Sequence, residues 1–206
     1  MWSLLSRRWQ LTLVIFAGIL MAWSIDALWA LFFGEKMNAL KSISLAVTIV
    51  GGVLTIVAEL FWKWLWQRFP AIQVRTFPDL NGTWEGSLVS TLTDPTDGER
   101  TQPIQTTIII RQGLFSTSVS LKTDESTSYS TRTFLEPFYD TRRFRIWYSY
   151  NNDPQAQFQK RSSPHEGVAF LDLDYDEDPH RLTGRYYTAR KTTGDLNVQR
   201  TAPARL

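Results

Sequence analysis

The sequence predicts a membrane α-helical hairpin followed by an all-β domain, and two observations carry this fold class. Two hydrophobic segments, beginning at Leu11 and Ile43, stand close together near the N-terminus of the 206-residue chain. Further along, the pattern changes to short runs of β-branched and aromatic residues separated by turn residues, with no third hydrophobic segment. We therefore expect a unit of residues 1–68 with two transmembrane helices (about 10–33 and 43–66), and a β-barrel domain of residues 75–206.

The first hydrophobic segment is long enough to cross a hydrocarbon core about 30 Å thick, because an α-helix rises about 1.5 Å per residue. Asp26 is its only charged residue. A secretory signal peptide, which Arg7 and Arg8 resemble in part, has a shorter apolar region of roughly 7–15 residues. A buried hairpin of a soluble protein would show one polar face, whereas both segments are apolar around the whole helix.

The second segment has no charged residue over residues 43–58, and Glu59 and Lys63 follow. Tryptophans close it, as expected at a membrane–water interface, where an indole ring finds both apolar and polar surroundings. Ionisable groups inside a span are costly and often mark oligomer contacts or water-lined paths. Asp26 and Glu59 are therefore the candidate residues for contacts within the membrane.

The basic residues that flank the two segments predict the orientation. Arg7 and Arg8 precede the first segment, and Lys63, Arg68 and Arg75 end or follow the second. The loop between them carries two lysines that are partly balanced by one glutamate. The positive-inside rule then places both termini, and with them the β domain, in the cytoplasm. The lack of cysteine fits a reducing compartment without requiring one.

The β domain is predicted to be a small antiparallel up-and-down barrel of about eight strands. The predicted strands are Thr83–Thr93, Ile104–Gln112, Leu114–Lys122, Thr127–Leu135, Arg142–Tyr150, Gly167–Asp174, Arg181–Arg190 and Leu196–Thr201. Mostly short links favour a meander, and closing a meander into a barrel removes both exposed edges. A β-sandwich is the alternative.

The charge balance limits the partners of this domain. From residue 68 onward there are seventeen Lys+Arg and seventeen Asp+Glu, so the domain is neutral. Long nucleic acid requires a broad basic surface that displaces counterions, and we therefore exclude it as a partner. A small anionic ligand held by a few arginines remains compatible with this balance.

Strand alternation predicts which side chains point into the barrel. On the fifth strand Phe144, Ile146, Tyr148 and Tyr150 share one face. On the seventh strand one face runs from an apolar start to a polar end: Leu182, Gly184, Tyr186, Thr188 and Arg190. This face suits a pocket with a polar mouth. Alternatively, Arg190 simply emerges into solvent where the strand ends.

Catalytic and metal-binding patterns are missing from the sequence. There are two histidines and no cysteine, so a zinc site of the usual His/Cys type lacks ligands. Neither a G-x-S-x-G nucleophile elbow nor a G-x-x-x-x-G-K-[ST] phosphate loop is present. We expect no catalytic residue, no metal and no cofactor.

Two short motifs then indicate a family. The β domain opens with Leu-Asn-Gly-Thr-Trp at 80–84 and closes with Leu-Thr-Gly-Arg-Tyr-Tyr-Thr-Ala-Arg at 182–190, followed by Gly194. The order of two hydrophobic spans followed by a β domain with these two motifs resembles the two-transmembrane β-barrel effectors of bacterial cyclic-oligonucleotide-based antiphage signalling (CBASS). The Gly-x-Trp opening also occurs in lipocalins, which lack the paired spans.

The resemblance implies a function for both parts of the chain. In that family the cytoplasmic barrel is the receptor for a cyclic dinucleotide, which a partner nucleotidyltransferase makes after phage infection. Ligand binding is associated with self-assembly and with disruption of the inner membrane. The expected partners are therefore the cyclic dinucleotide, membrane lipids, further copies of the chain and a functionally linked nucleotidyltransferase. The family positions that carry over are Gly82, Trp84, Gly184, Tyr186, Thr188 and Arg190.

A cyclic dinucleotide has two phosphates and two flat bases, and calls for arginines, hydroxyl donors and aromatic faces. The expected ligand-binding residues are Tyr148, Tyr150, Tyr186, Thr188 and Arg190, with Arg132, Arg145 and Lys191 as second choices. Trp84 is expected to be a structural plug at the base of the barrel. A membrane-tethered, lipocalin-like carrier of an apolar ligand is the alternative function, and an enzyme is disfavoured for want of a nucleophile or metal site.

Overall fold

The structure of the protein is a computed structural model that describes residues 2–35, 37–69, 71, 73, 76–91, 102–159 and 162–203. The chain divides into two compact units, residues 1–69 and 70–206. The first unit is helical and the second is a β-barrel.

The helical unit begins with α1 (Arg7–Phe33), a helix of 27 residues that is about 40 Å long. Its first turn is capped by Ser6, whose side chain accepts a hydrogen bond from the Trp9 amide. It ends at Gly34, which takes the left-handed conformation (φ 73°) and donates its amide to the carbonyl of Ala30. Within the described residues, α1 is the helix that by length and composition could cross a membrane.

The second hydrophobic segment is helical but not uniform. It forms α2 (Ala39–Thr48), a π-helical stretch (Ile49–Leu54) and α3 (Thr55–Arg68). The π-helical stretch contains the paired glycines 51 and 52, and a π turn widens the helix locally. This segment stays a predicted span, because neither α2 nor α3 alone is long enough to cross a bilayer.

Asp26 holds the turn between α1 and α2. Its carboxylate accepts a hydrogen bond from the Met37 amide at 3.1 Å. One turn along α1 from Asp26, the Ala22 carbonyl accepts the hydroxyl of buried Ser42 at 3.1 Å. Glu59 is half-buried on α3. These contacts give Asp26 a structural role within the chain, and the predicted membrane or oligomer roles of Asp26 and Glu59 stay predictions.

The β unit is a closed antiparallel barrel, and each strand pairs with its neighbours in the sequence. Its strands are β1 (Gly82–Ser90), β2 (Ile104–Gln112), β3 (Thr117–Lys122), β4 (Ser126–Phe138), β5 (Arg143–Pro154), β6 (His165–Asp174), β7 (Arg181–Thr188) and β8 (Thr193–Pro203). Strand β8 closes the barrel on β1. The predicted up-and-down barrel is confirmed over the sandwich.

Several strand ends differ from the prediction because of local turns. β3 begins at Thr117, since the chain turns before it and the Gly113 amide donates to the Ser116 carbonyl. β4 and β5 extend beyond their predicted ends and pair along twelve residues of β5. β7 ends at Thr188, whose amide bonds to the Thr192 carbonyl across a turn. Residues 92 and 93, predicted to end the first strand, lie outside the described residues.

The interior of the barrel is an apolar core, as strand alternation predicted. The following core side chains are 0–1 % exposed: Phe144, Ile146, Leu171, Leu173, Leu182, Ile108, Ile110 and Val198. A fully covered side chain leaves no water-sized space beside it, so this part of the barrel is filled rather than hollow. Gly184 lets β6 and β7 come close, because a β-carbon there would overlap with the carbonyl oxygen of Phe170.

One end of the barrel is closed by residues 77–81, which precede β1. Phe77 and Leu80 are fully buried, and Phe77 packs edge-on against Phe144. Asn81 and Gln112 bond each other through side chain and backbone, at 2.7 and 2.9 Å. We call this end the base.

Trp84 completes the base. It is 0 % exposed and donates its indole N–H to the Leu80 carbonyl at 3.1 Å. The guanidinium carbon of Arg200 lies 4.4 Å from the centre of the Trp84 ring, and Arg200 Nη2 donates to the Asp79 carbonyl at 2.6 Å. Trp84 therefore lies at the base of the barrel, which is the position expected for a structural plug.

Candidate functional site

The opposite end of the barrel, which we call the mouth, is lined by tyrosines. Direct register pairs join Tyr148 to Ala169, Ala169 to Tyr186, Tyr186 to Gly194 and Gly194 to Ser90. These residues of β5, β6, β7, β8 and β1 thus form one layer around more than half of the barrel. One step nearer the mouth, Tyr150 pairs with Gly167 and Gly167 with Thr188.

Small residues opposite the tyrosines let their rings lie against the sheet. A β-carbon at Gly167 would overlap with the ring and hydroxyl of Tyr150, and one at Gly194 would overlap with the ring of Tyr186. The rings of Tyr148 and Tyr150 are tilted neighbours, 5.9 Å apart between centres. The mouth therefore presents aromatic surfaces whose positions are fixed by the neighbouring strand.

The tyrosine hydroxyls of the mouth stay protonated at neutral pH. Burial, with the neighbouring Tyr186 adding to it, raises the pKa of Tyr150 to about 12. Burial also raises the pKa of Tyr148, which is the most deeply enclosed of the three, and that of Tyr186. Neutral hydroxyls can donate hydrogen bonds to an anionic ligand without repelling it.

Arg190 stands at the edge of the mouth, in the turn between β7 and β8. Its guanidinium is exposed and lies 3.3 Å from Ser162 Oγ and 3.4 Å from His165 Nε2. Its positive charge opposes the rise in the pKa of both Tyr150 and Tyr186, because it lies near both hydroxyls. Thr188, the last residue of β7, points its side chain towards the β7–β8 turn, where its hydroxyl lies 2.7 Å from that of Thr192.

Comparison with known proteins decides between the possible classes of barrel. Residues 75–200 match the family model described as Cap15, cyclic dinucleotide receptor domain. The chain belongs to this family. It is also 29 % identical over 159 residues to the CD-NTase-associated protein 15 of Staphylococcus schleiferi, a match that covers 77 % of this chain and 78 % of that protein. The resemblance to the barrel effectors of CBASS is thus confirmed.

The receptor barrel brings together four of the five first-choice residues. Tyr148, Tyr150, Tyr186 and Thr188 line the mouth from β5 and β7, and Arg190 stands beside them at its edge rather than inside the barrel. Of the two interpretations of Arg190, the structure supports emergence at the strand end. Its position just beyond the end of β7 nevertheless keeps it within reach of a ligand that covers the mouth. Ligand binding by these residues stays a prediction.

The second-choice residues lie elsewhere. Arg145 is on the outer face of β5, where it forms a two-point ion pair with Asp172 (2.6 and 2.7 Å) and lies over the ring of Phe170. Arg132 is exposed on the outer face of β4, because a bulge between Ser130 and Arg132 shifts the alternation. Lys191 is exposed in the β7–β8 turn in the left-handed conformation (φ 64°). The structure therefore separates Arg145 and Arg132 from the mouth.

Other polar residues of the receptor barrel were missed by the sequence analysis. Thr106 on β2 and Ser128 on β4 are buried, and their hydroxyls lie 3.3 and 3.5 Å from the carbonyls of Lys122 and Leu121. His165 opens β6 beside Arg190. The signal for Ser128 was present as a run of alternating serines in β4. The sequence contained no comparable signal for His165, because its contact with Arg190 depends on the fold.

Proposed function

We propose that this protein is a ligand-gated CBASS effector whose barrel mouth binds a cyclic dinucleotide and whose N-terminal helices act on a membrane. The observation that carries the proposal is the mouth itself. The buried tyrosines Tyr148 and Tyr150, half-buried Tyr186 and exposed Arg190 lie at one end of a barrel of the cyclic dinucleotide receptor family. No reaction is part of this function.

The chemistry of the mouth suits the two parts of such a ligand. Base stacking on aromatic side chains contributes about 1–3 kcal/mol for each base, and the half-buried ring of Tyr186 supplies such a surface beside the buried rings of Tyr148 and Tyr150. A guanidinium forms charge-assisted, often two-point hydrogen bonds with a phosphate, and Arg190 supplies one. Thr188 and the tyrosine hydroxyls add neutral donors around them.

The helical unit supports the membrane half of the proposal. The helix α1, which is apolar apart from Asp26 after its first turns, is long enough to cross a bilayer, and we propose that the second hydrophobic segment crosses back. Both termini and the barrel would then lie in the cytoplasm, at the inner membrane. On ligand binding the copies associate and disrupt the membrane, and a nucleotidyltransferase linked to this protein supplies the ligand.

A carrier of apolar ligands is the competing function, and the filled core speaks against it. A carrier needs an open apolar cavity inside its barrel. The apolar composition of the interior, with no arginine among its described buried residues, is the one expected of a carrier, but Phe144, Ile146, Leu171 and Leu173 are each only 0–1 % exposed and leave no open space beside them. At the mouth, half-buried Tyr186 and exposed Arg190 remain accessible, and they favour an anionic, aromatic ligand.

A thermal-shift experiment on the full-length chain in detergent micelles tests the proposal. The panel consists of 3′,3′-cyclic dinucleotides of adenine, guanine and uracil, the corresponding linear dinucleotides and a set of fatty acids. We expect one or a few of the cyclic compounds to raise Tm, since a ligand at a hundred times its Kd adds about 2.7 kcal/mol of stability. A shift with fatty acids and none with any cyclic dinucleotide would support the carrier instead.

A further inference from the structure

A histidine faces the arginine at the edge of the mouth. His165 is the first residue of β6, and its Nε2 lies 3.4 Å from Arg190 Nη2. Its Nδ1 lies 3.0 Å from the carbonyl oxygen of Ser163. A carbonyl only accepts, so Nδ1 carries the proton, and in the neutral ring Nε2 presents its lone pair to the guanidinium.

The surroundings of His165 favour the neutral form of its ring. Partial burial lowers its pKa, and the positive charge of Arg190 lowers it further, against the opposing effect of the Ser163 carbonyl. Among the described residues, Arg190 is the charged side chain that acts on the ring. The register partner on β5 is Asn152, which carries no charge.

A phosphate bound to Arg190 would instead favour the protonated form of the His165 ring. The two nitrogens are 3.4 Å apart, so an oxygen that accepts a hydrogen bond from Arg190 Nη2 also lies within reach of His165 Nε2. A neutral ring would turn a lone pair towards that oxygen. A protonated ring would donate a second charge-assisted hydrogen bond to it.

We propose that His165 is a second anion-binding group of the mouth, and that it takes up a proton from the solvent when a phosphodiester binds to Arg190. The inference rests on the proposed function, because it presupposes that the cyclic dinucleotide binds at the mouth. In the complex, one phosphate is shared between the Arg190 guanidinium and the N–H of His165 Nε2.

Proton uptake fixes how affinity depends on pH. The complex holds more protons than the free protein and ligand, so binding tightens as pH falls. The change is at most tenfold per pH unit, and it occurs between the pKa of His165 in the complex and its lower pKa in the empty mouth. Below both values the dependence disappears.

Isothermal titration calorimetry measures the proton uptake directly. The full-length chain in detergent is titrated at pH 7 with the 3′,3′-cyclic dinucleotides of adenine, guanine and uracil. Each titration is done in PIPES and in Tris, whose ionisation enthalpies differ strongly and neither of which contains phosphate. We expect the observed enthalpy to differ between buffers by the amount that corresponds to a fraction of one proton taken up per ligand.

Three variants locate the proton. His165→Asn should abolish the buffer dependence and weaken binding several-fold, whereas His165→Lys, which keeps a permanent cation, should abolish the buffer dependence and retain most of the affinity. His180→Asn, in the exposed β6–β7 connection at the base, is the matched control and should behave like the wild type.

The outcomes separate this inference from the proposed function. Binding to the wild type without buffer dependence, or buffer dependence that survives in His165→Asn, refutes proton uptake by His165 and leaves the receptor function intact. If none of the cyclic dinucleotides binds to the wild type, the proposed function itself fails, and this inference fails with it.

Discussion

The ring of Tyr150 on β5 lies across Gly167, its register partner on β6, and fills the space that a side chain at position 167 would take. Tyr186 and Gly194 repeat this arrangement between β7 and β8. Both rings are thereby kept against the neighbouring strand along the wall of the barrel.

Gly167→Ala should destabilise the barrel. The new β-carbon would meet both the Tyr150 ring and, at 2.6 Å, the Tyr187 carbonyl, and a backbone atom cannot move aside as a side chain can. Overpacking of this kind costs about 1–3 kcal/mol. Urea unfolding followed by circular dichroism measures the loss. Glu166→Ala, an exposed neighbour on the same strand, is the control, and equal midpoints for both variants would contradict the prediction.

Arg190→Ala should weaken ligand binding while the barrel stays folded, because the arginine is exposed at the mouth and its contacts there are long. Loss of a charge-assisted pair worth roughly 1.5–3 kcal/mol corresponds to about one to two decades in affinity. Arg190→Lys should restore only part of it, since an ammonium keeps the charge and loses the planar fork. Calorimetry gives the affinity, and circular dichroism checks the fold.

The control for Arg190 is Arg111→Ala, which removes an exposed arginine from the outer face of β2. It should bind the ligand like the wild type. Normal affinity in folded Arg190→Ala would remove the arginine from the site and direct attention to the outer face, where Arg145 and Arg185 lie.

The barrel should lose stability in alkaline solution. Burial raises the pKa of Tyr150 to about 12 and also raises that of Tyr148, whereas tyrosines of the unfolded chain titrate near about 10. Above pH 10 the unfolded state releases protons that the folded state holds, so stability falls by about 1.4 kcal/mol per pH unit for each such tyrosine, up to the folded pKa.

Unfolding midpoints in urea from pH 8 to 11.5 measure this alkaline loss. Tyr150→Phe should flatten the decline, and Tyr129→Phe, which alters an exposed ring 61 % accessible to solvent, should leave it unchanged. An unaltered slope in Tyr150→Phe would show that its hydroxyl is not held in an enclosed environment.

Trp84→Phe should destabilise the base. The change removes the indole N–H that bonds to the Leu80 carbonyl, leaves that carbonyl unpaired in a buried place, and withdraws part of the surface under Arg200. An unmade buried hydrogen bond costs about 1–3 kcal/mol. Thermal unfolding detects the change, with Phe134→Leu on the exposed outer face as control. No loss of Tm relative to that control would refute the plug role.

Membrane damage should require both units of the chain. We expect residues 1–69 alone to insert into lipid vesicles without releasing a trapped dye, because the proposed trigger lies in the barrel. The full-length chain should release dye only when its cyclic dinucleotide is present. Equal leakage from the isolated helical unit and from the ligand-activated full chain would contradict gating by the barrel.

Local pattern was enough to predict the barrel and much of its interior. Alternation on β5 correctly placed Phe144 and Ile146 inside, because the strand there is regular and one of its faces is buried. Strict alternation from Ser128 would also turn Arg132 inward. The bulge at Thr131 reverses the order, and a bulge depends on the partner strand rather than on the strand's own residues.

The remaining parts of the site depend on contacts between residues far apart in the sequence. Asn81 bonds to Gln112, 31 positions away, and Arg200 reaches Asp79 across 121 positions. Arg190 and His165 likewise meet only after β6 and β7 pair. Such pairs are fixed by closure of the barrel, for which a single sequence carries no local sign.

The two ends of the barrel have a consequence for how activation spreads. The base is built from the segment that leads to the helices in the chain, the proposed ligand site is at the opposite end, and close-packed layers lie between them. An interior packed at this density has low compressibility and transmits strain from one layer to the next. We therefore expect a displacement that a bound ligand imposes at the mouth to reach the base through these layers.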